Sequence, residues 1–310
     1  MSFQPIITKM IGIIQNTTKQ VLRLRAQRQL YATAKIIFGW QVFIGGPLAI
    51  ATAVLALNLP SSKGYIAAWA LLVTLCDLFW FTPWQKRLRN EAARIQEAFD
   101  CDVLELPWNE LKAGKKPDPE LIKEQSDLYE EWASSMHSVQ NWYSPSVDAL
   151  PMPVARIICQ RSNCWWDSTQ RRHYAAWLIG GTASVFILIC LAALCGSSSF
   201  EAFLLKGVIP LAPILLLAIR QHSEQREAAT RLDKLKDHCG SIWNTALSGA
   251  PETTLSNMSR NLQDEILENR KKAPPVLDFI FKRIRNKYES SMNHASEDYV
   301  AEAKAKLGLT

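Results

Sequence analysis

YAAWLIGGTASVFILICLAALC, residues Tyr174–Cys195, is the stretch that decides the fold, because none of its 22 residues carries a formal charge. About 20 apolar residues are enough to cross roughly 30 Å of hydrocarbon. Three more windows share this character: Ile36–Leu59 has no charge, Tyr65–Trp84 has only Asp77, and Phe200–Ile219 is charged only near its start. A soluble core rarely needs four such runs, so the pattern predicts four transmembrane helices.

Short polar loops join these windows in pairs: PSSKG (60–64) connects the first two and GSSS (196–199) the last two. The predicted fold is therefore an all-α integral membrane protein with four transmembrane helices arranged as two hairpins. Helical periodicity and weak strand signals predict a mostly helical insert between the hairpins and a helical tail after them. The predicted parts are an N-terminal cytosolic amphipathic helix (1–35), transmembrane hairpin 1 (36–84), a cytosolic insert that is a candidate sensor (85–173), transmembrane hairpin 2 (174–219) and a cytosolic helical tail (220–310).

The distribution of basic residues predicts how the chain is oriented. Of the 35 Lys and Arg residues, only Lys63 lies in a short loop and only Lys206 inside the fourth window. Because cytoplasmic loops of membrane proteins carry the excess of positive charge, both termini and the insert are expected in the cytoplasm. The net charge of +6 reflects this topology and an anionic membrane surface rather than nucleic-acid binding.

The sequence contains none of the common catalytic motifs, such as G-x-S-x-G, a P-loop or H-E-x-x-H. The five histidines are scattered singly, and none of the seven cysteines forms a C-x-x-C pair. We therefore expect a protein that is not an enzyme, with no metal and no resident cofactor.

Asp77 is the candidate gating residue, because an ionisable group inside a membrane segment costs about 2.5–3.5 kcal/mol on insertion scales and must face protein or water. It lies eight residues before Gln85, in the inner half of the second window. Lys206 is its obvious partner by charge, but Lys206 lies close to the outer end of its own helix, so this pair is not expected. Two alternatives stay open: a polar lining of an aqueous path, or a structural contact to Trp40 or a hydroxyl of a membrane segment.

The stretch RSNCWWDSTQRR (Arg161–Arg172) places arginines and tryptophans directly before the third window. One interpretation is an interfacial belt, in which tryptophans lie at the membrane surface and arginines bind lipid phosphate. The other is a nucleotide pocket, since aromatic rings stack on bases and Arg and Asn donate to phosphates and base edges. Residue chemistry alone leaves both open.

Three motifs resemble the SMODS-associating four-transmembrane effector family: AQRQLYATAK (26–35), IQEAFDCDVLELPWN (95–109) and ICQRSNCWWDSTQRRHYA (158–175). The resemblance covers residues 26 to 219, including the two-hairpin layout. It implies a bacterial anti-phage effector of CBASS type in the inner membrane. Such an effector binds a cyclic di- or oligonucleotide, made by a functionally linked nucleotidyltransferase, and breaches the lipid bilayer, causing death or arrest.

The resemblance favours the pocket interpretation of the Arg/Trp stretch. Because a single four-helix bundle is too slim for a wide pore, we also expect several copies of the chain around any opening. The candidate ligand-binding residues are Arg161, Asn163, Trp165, Trp166, Arg171, Arg172, Trp108, Asn109, Trp142 and Tyr143. A constitutive channel or transporter subunit and a membrane scaffold for cytosolic partners are the alternatives.

Overall fold

A computed structural model describes residues 10–48, 51, 63–132, 139–195, 199–203 and 209–309, and the regular elements in these ranges are helices. The α-helices are α1 Ile11–Ile14, α2 Thr18–Phe43, α3 Lys63–Cys76, α4 Thr82–Val103, α5 Glu110–Ala113, α6 Pro119–Trp132, α7 Met152–Cys195, α8 Phe200–Phe203, α9 Ile209–Leu247, α10 Glu252–Lys272 and α11 Asp278–Leu307. Two π-helical turns, Ile44–Leu48 and Asp77–Phe81, extend α2 and join α3 to α4, and a 3₁₀ turn, Pro145–Ala149, precedes α7.

The all-helical class predicted from the sequence is confirmed. Among the residues that the structure describes, no helix combines the length and the apolar character needed to cross a membrane. Parts of the predicted membrane hairpins lie outside the described residues: 49–50, 52–62, 196–198 and 204–208, which include Lys206 and the first three residues of the predicted loop 60–64. The last two residues of that loop, Lys63 and Gly64, begin helix α3 instead.

Helices α2, α7 and α9 each run without a break between a predicted membrane segment and, respectively, the N-terminal region, the insert and the tail. Helix α7 has 44 residues, which corresponds to about 66 Å at 1.5 Å per residue. Helix α9 packs antiparallel to α7: Arg172 contacts Asp233, and His222 bonds the carbonyl of Ala175 further along. Helix α4 packs antiparallel to α2 in the same way, so each predicted hairpin continues into the rest of the molecule as a pair of packed helices.

The main hydrophobic core lies among α4, α7, α9 and α10, away from the predicted membrane segments. Its fully buried side chains include Phe99, Ile157, Ile158, Ile242 and Leu262. Within α4 the buried residues Ala92, Ile95 and Phe99 recur at helical spacing, which explains why one face of that helix packs inward. This core fixes the relative positions of the helices that lead out of it.

Large apolar side chains that remain exposed gather in the predicted membrane segments. Trp80 is 70% exposed, Phe79 68%, Leu188 64% and Leu216 65%. Among the exposed large apolar residues of the described ranges, only Met10, Ile13 and Leu111 lie outside those segments. Apolar patches of this kind mark surfaces that contact a membrane or another protein.

Candidate functional site

The Arg/Trp stretch lies on α7, in the turns just before the third apolar segment, and most of its polar groups point to other helices. Arg171 is only 8% exposed; it donates from Nη1 to Gln225 Oε1 (2.8 Å) and to the carbonyl of Pro274 (2.9 Å). Arg172 binds Asp233 on α9, with 2.9 Å between Nη2 and Oδ1. Both arginines therefore connect α7 to neighbouring parts of the fold, in contrast to the lipid-facing orientation that the belt interpretation requires.

Other candidate residues also have internal partners. Trp108 donates from Nε1 to the carbonyl of Gly114 (2.8 Å) and Asn109 donates to Asp264 Oδ2 (2.7 Å), so both fix the loop after α4. Trp142 meets Phe99 edge to face, with ring centroids 6.3 Å apart. These contacts give the three side chains a role in the packing of the insert.

Tyr143 belongs to a buried polar cluster that we call the carboxylate clamp: Glu97, Asp100, Tyr143, Arg260, Gln263 and Arg270. Asp100 accepts from Tyr143 Oη at 2.6 Å, from Gln263 Nε2 at 2.9 Å and from Arg270 Nη1 at 2.6 Å. Glu97, one turn earlier on α4, accepts from Arg260 at 2.6 Å and from Gln263 at 2.9 Å. Two carboxylates thus face two guanidinium groups, and Gln263 bridges them. The clamp holds α4 against α10 of the tail.

Burial governs the ionisation of the carboxylate clamp. It raises the pKa of Glu97, an effect that the positive charge of Arg260 partly offsets. Burial alone would lower the pKa of Arg270, but the carboxylate of Asp100 reverses this and keeps that pKa above its usual value. Burial also raises the pKa of Tyr143 well above its usual value, and Asp100 adds to the effect. Tyr143 stays protonated and is therefore a hydrogen-bond donor to Asp100, while its oxygen accepts from Asn163 at 2.8 Å.

Arg161 and Trp165 lie in a different environment, the contact between α7 and α11, where both side chains remain half-exposed. The guanidinium of Arg161 lies 4.6 Å from the ring centroid of Tyr299. Trp165 meets Tyr288 edge to face at 5.8 Å between centroids, and His173 Nε2 lies 2.7 Å from the same tyrosine hydroxyl. We call these five residues the α7–α11 seam. Trp166, the next residue of the stretch, is also half-exposed.

Asp77 is the first residue of the π-helical turn between α3 and α4. The side-chain amide of Gln41 on α2 donates to its Oδ1, and Thr82 Oγ1 lies at the 3.5 Å limit for a second bond. The structure therefore provides a contact to a hydroxyl, as one sequence alternative required. The main partner of Asp77 is Gln41, which the sequence interpretation did not name.

Two surface cavities in the described part of the chain are candidate binding sites. One, of about 560 Å³, is lined by Ile14, Gln20, Cys101, Asp102 and Glu105. Of its two carboxylates, Asp102 is already paired with Lys19 and Arg23. The other, of about 370 Å³, is lined only by Ile36, Gly39, Trp40 and Phe43, so it offers apolar contacts without phosphate donors. Within the described ranges, no group of three or more His, Cys, Asp or Glu side chains is placed to hold a metal ion.

The sequence interpretation did not single out most of the carboxylate clamp or the two tyrosines of the seam. Glu97 and Asp100 are fully buried beside Phe99, but this burial is visible only in the structure. Their partners Arg260 and Arg270 lie more than 150 residues further along the chain. Tyr288 and Tyr299 carry no local signal, because an aromatic residue on a long tail helix is usually only a packing residue.

Comparison with known proteins completes this description. The sequence matches the SMODS-associating 4TM effector domain over residues 9–299. It is also similar to a protein of Bacillus cereus strain VD146 named "probable CBASS effector molecule", with 22% identity over 277 residues, or 88% of each chain. No solved structure gives a significant match. Because the family match covers nearly the whole chain and spans all three motifs that suggested it, the chain belongs to the SMODS-associating 4TM effector family.

Proposed function

We propose that this protein is an effector of CBASS-type anti-phage defence that binds a cyclic nucleotide on its cytosolic side and then permeabilises the bacterial inner membrane. The observation that carries the proposal is the division of the molecule into two parts. Exposed apolar side chains gather on the predicted membrane segments, and buried charge networks lie in the insert and tail. Family membership and the named relative support an effector role in this defence. A functionally linked nucleotidyltransferase makes the signal.

The exposed apolar residues support the membrane part of the proposal. Large apolar side chains in both hairpins remain exposed in the isolated chain. Phe79 and Trp80 on hairpin 1 and Phe186 and Leu188 on α7 are between 44% and 70% exposed. Burying such a side chain contributes about 1.5–3 kcal/mol, so leaving many of them in water is unfavourable. Lipid, or further copies of the chain in the bilayer, accounts for their exposure. Both termini then lie in the cytoplasm, as the distribution of basic residues requires.

The α7–α11 seam is the proposed ligand site. Its aromatic rings offer surfaces on which bases can stack, each stack being worth about 1–3 kcal/mol. The guanidinium of Arg161, which lies over the ring of Tyr299, has several N–H groups that can reach a phosphate. By contrast, Tyr143, Asn163 and Arg171 are committed to internal hydrogen bonds, so we assign them to the scaffold.

Transmission to the membrane follows the continuous helices. Trp165 lies nine residues before Tyr174 on the unbroken α7, which corresponds to about 14 Å along the helix axis. The carboxylate clamp joins α10 of the tail to α4, which leads directly into hairpin 1 through the π-helical turn. A ligand that moves α11 against α7 therefore shifts both hairpins. Several copies of the chain surround the opening, because one four-helix bundle is too slim for a wide pore.

The proposal is tested by dye release from liposomes that carry the purified protein, with and without a panel of cyclic mono-, di- and trinucleotides. We expect release only with one or a few of them. Release without any nucleotide would favour a constitutive channel. If no condition gives release and no nucleotide binds, the protein is a membrane scaffold and the proposal is wrong.

The ligand site is tested by Arg161→Ala and Trp165→Ala, with Arg226→Ala as the matched control. Arg226 is an exposed arginine on the neighbouring helix α9 and is not one of the seam residues. The two seam variants should insert normally but weaken nucleotide binding by about 1–3 kcal/mol for each lost stack or charged bond. Unchanged affinity in both, alongside an unchanged control, would remove the seam as the binding site.

A further inference from the structure

Three polar side chains form a continuous hydrogen-bonded track between α2 and the joined helices α3 and α4. Gln85 Nε2 donates to Gln41 Oε1 at 2.8 Å, and the Gln41 amide donates in turn to Asp77 Oδ1. Gln85 is 6% exposed, and Asp77 and Gln41 are half-buried. The track covers the eight residues from Gln85 to Asp77, about 12 Å along the helix axis. The track leads from Gln85, where the insert begins, into the second predicted membrane segment.

The local backbone explains why the track faces inward. Asp77 begins a π-helical turn, which adds one residue to the turn and rotates the side chains that follow it. Leu78, Phe79, Trp80 and Trp84 are directed outward and are between 53% and 70% exposed. The polar residues consequently lie on the face that packs against α2. A second π-helical turn, Ile44–Leu48, lies just beyond Gln41 and contains Pro47, whose missing N–H disturbs the regular ladder.

We infer that Asp77, together with Gln41 and Gln85, lines the aqueous path of the opened effector and makes that path selective for cations over anions. The inference rests on the proposed function and adds the class of permeating species to it. In the closed fold these groups satisfy one another, which offsets the cost of placing them among apolar side chains. When several copies rearrange around an opening, the same groups give a ring of carboxylates with neutral amides beside it. Rings of Asp or Glu are what cation channels use.

Two positive groups nearby compete with this assignment. Arg89, one turn beyond Gln85, donates to the carbonyl of Ala273 at 2.9 Å, and Arg171 donates to Pro274. Both guanidinium groups are thus turned toward the linker between α10 and α11 and away from the polar track. If they were to move into the opening, the path would prefer anions, so the sign of the selectivity separates the two arrangements.

The experiment measures reversal potentials in planar bilayers under a potassium chloride gradient, after the activating cyclic nucleotide is added. The variant is Asp77→Asn, because an Asn oxygen can still accept from Gln41, so the fold is kept while the charge is lost. Asp237→Asn is the matched control, since Asp237 is an exposed carboxylate on the part of α9 that lies in the tail, with its side chain 77% exposed.

We expect the wild-type protein and the control to pass potassium in preference to chloride, and the permeability ratio of Asp77→Asn to fall toward one. A preference that is unchanged in Asp77→Asn overturns the inference. So does a nucleotide-gated current without charge preference, although the proposed function then stands. A chloride preference also overturns the inference and would mean that Arg89 and Arg171 set the charge selectivity of the path. No nucleotide-dependent current at all defeats the proposed function itself, and the inference with it.

Discussion

Replacing Arg270 by Ala is the sharpest test of the carboxylate clamp. The guanidinium of Arg270 is 9% exposed and lies 2.6 Å from a carboxylate oxygen of Asp100, which is fully buried. Removing one partner of a buried ion pair leaves an uncompensated charge and costs about 3–5 kcal/mol. Tyr143 and Gln263 would still donate to Asp100, but neither brings a positive charge. At about 2–4 °C per kcal/mol for a chain of a few hundred residues, the melting temperature should fall by about 6–20 °C.

The matched control is Arg172→Ala, which breaks the ion pair with Asp233 at a site where the arginine side chain is 49% exposed. Exposed pairs contribute about 0–1 kcal/mol, so this variant should hardly change the melting temperature. Both variants are compared with the wild-type protein in detergent, by tryptophan fluorescence during heating. Arg270→Lys keeps the positive charge but lacks the planar guanidinium group, so its melting temperature should lie between those of Arg270→Ala and the wild-type protein. If Arg270→Ala melts within a degree or two of Arg172→Ala, the clamp does not stabilise the fold and the reasoning is refuted.

Three further outcomes follow from the described contacts. Two basic side chains of α2 lower the pKa of Asp102 despite its partial burial. This carboxylate therefore stabilises the fold above about pH 4, and acid unfolding curves should show the penalty of Asp102→Asn disappear below that pH; a penalty that persists in acid contradicts this. Tyr143→Phe deprives Asp100 of a buried donor and should cost about 1–3 kcal/mol in chemical denaturation, whereas a neutral result means that water replaces the hydroxyl. Gly12→Ala would place its Cβ 2.5 Å from Asp148 Oδ2, so we expect a loss of about 1–3 kcal/mol in stability, and an unchanged midpoint would show that the carboxylate moves freely.

Much of the helical layout could be predicted from local sequence alone. Apolar residues recur at helical spacing over Gln85–Phe99, and the structure has a helix there, Thr82–Val103. Prolines recur over Tyr143–Pro153, and the structure has a 3₁₀ turn in this stretch before α7 begins at Met152. Gly45, Gly46 and Pro47 are residues that disfavour a regular helix, and they coincide with the π-helical turn Ile44–Leu48 in the first apolar segment. Such features depend on backbone propensity and on one-dimensional periodicity, which any single sequence displays.

The roles of individual candidate residues could not be predicted in the same way. Arg161, Arg171 and Arg172 look equivalent in the sequence, yet one lies over a tyrosine ring, one is buried against a backbone carbonyl and one pairs with an aspartate on the surface. The difference depends on where α9 and α11 pack, and that packing is set by contacts 60 to more than 100 residues away. Asp77 is similar, because its partner Gln41 is an ordinary polar residue until the two helices meet.

These energies also indicate how a ligand can open the protein. Shifting an open-to-closed ratio from 1:99 to 99:1 requires about 5.5 kcal/mol of differential binding. Two base stacks at about 1–3 kcal/mol each, with a charge-assisted phosphate bond of about 1.5–3 kcal/mol, reach that value. Breaking the pairs of Glu97 and Asp100 at about 3–5 kcal/mol each would use all of it. Under the proposed function, a cyclic dinucleotide at the α7–α11 seam can therefore act only if the carboxylate clamp stays intact. The proposed transition then moves α4 and α10 together as one rigid unit, with the repacking confined to the seam and to the exposed apolar faces.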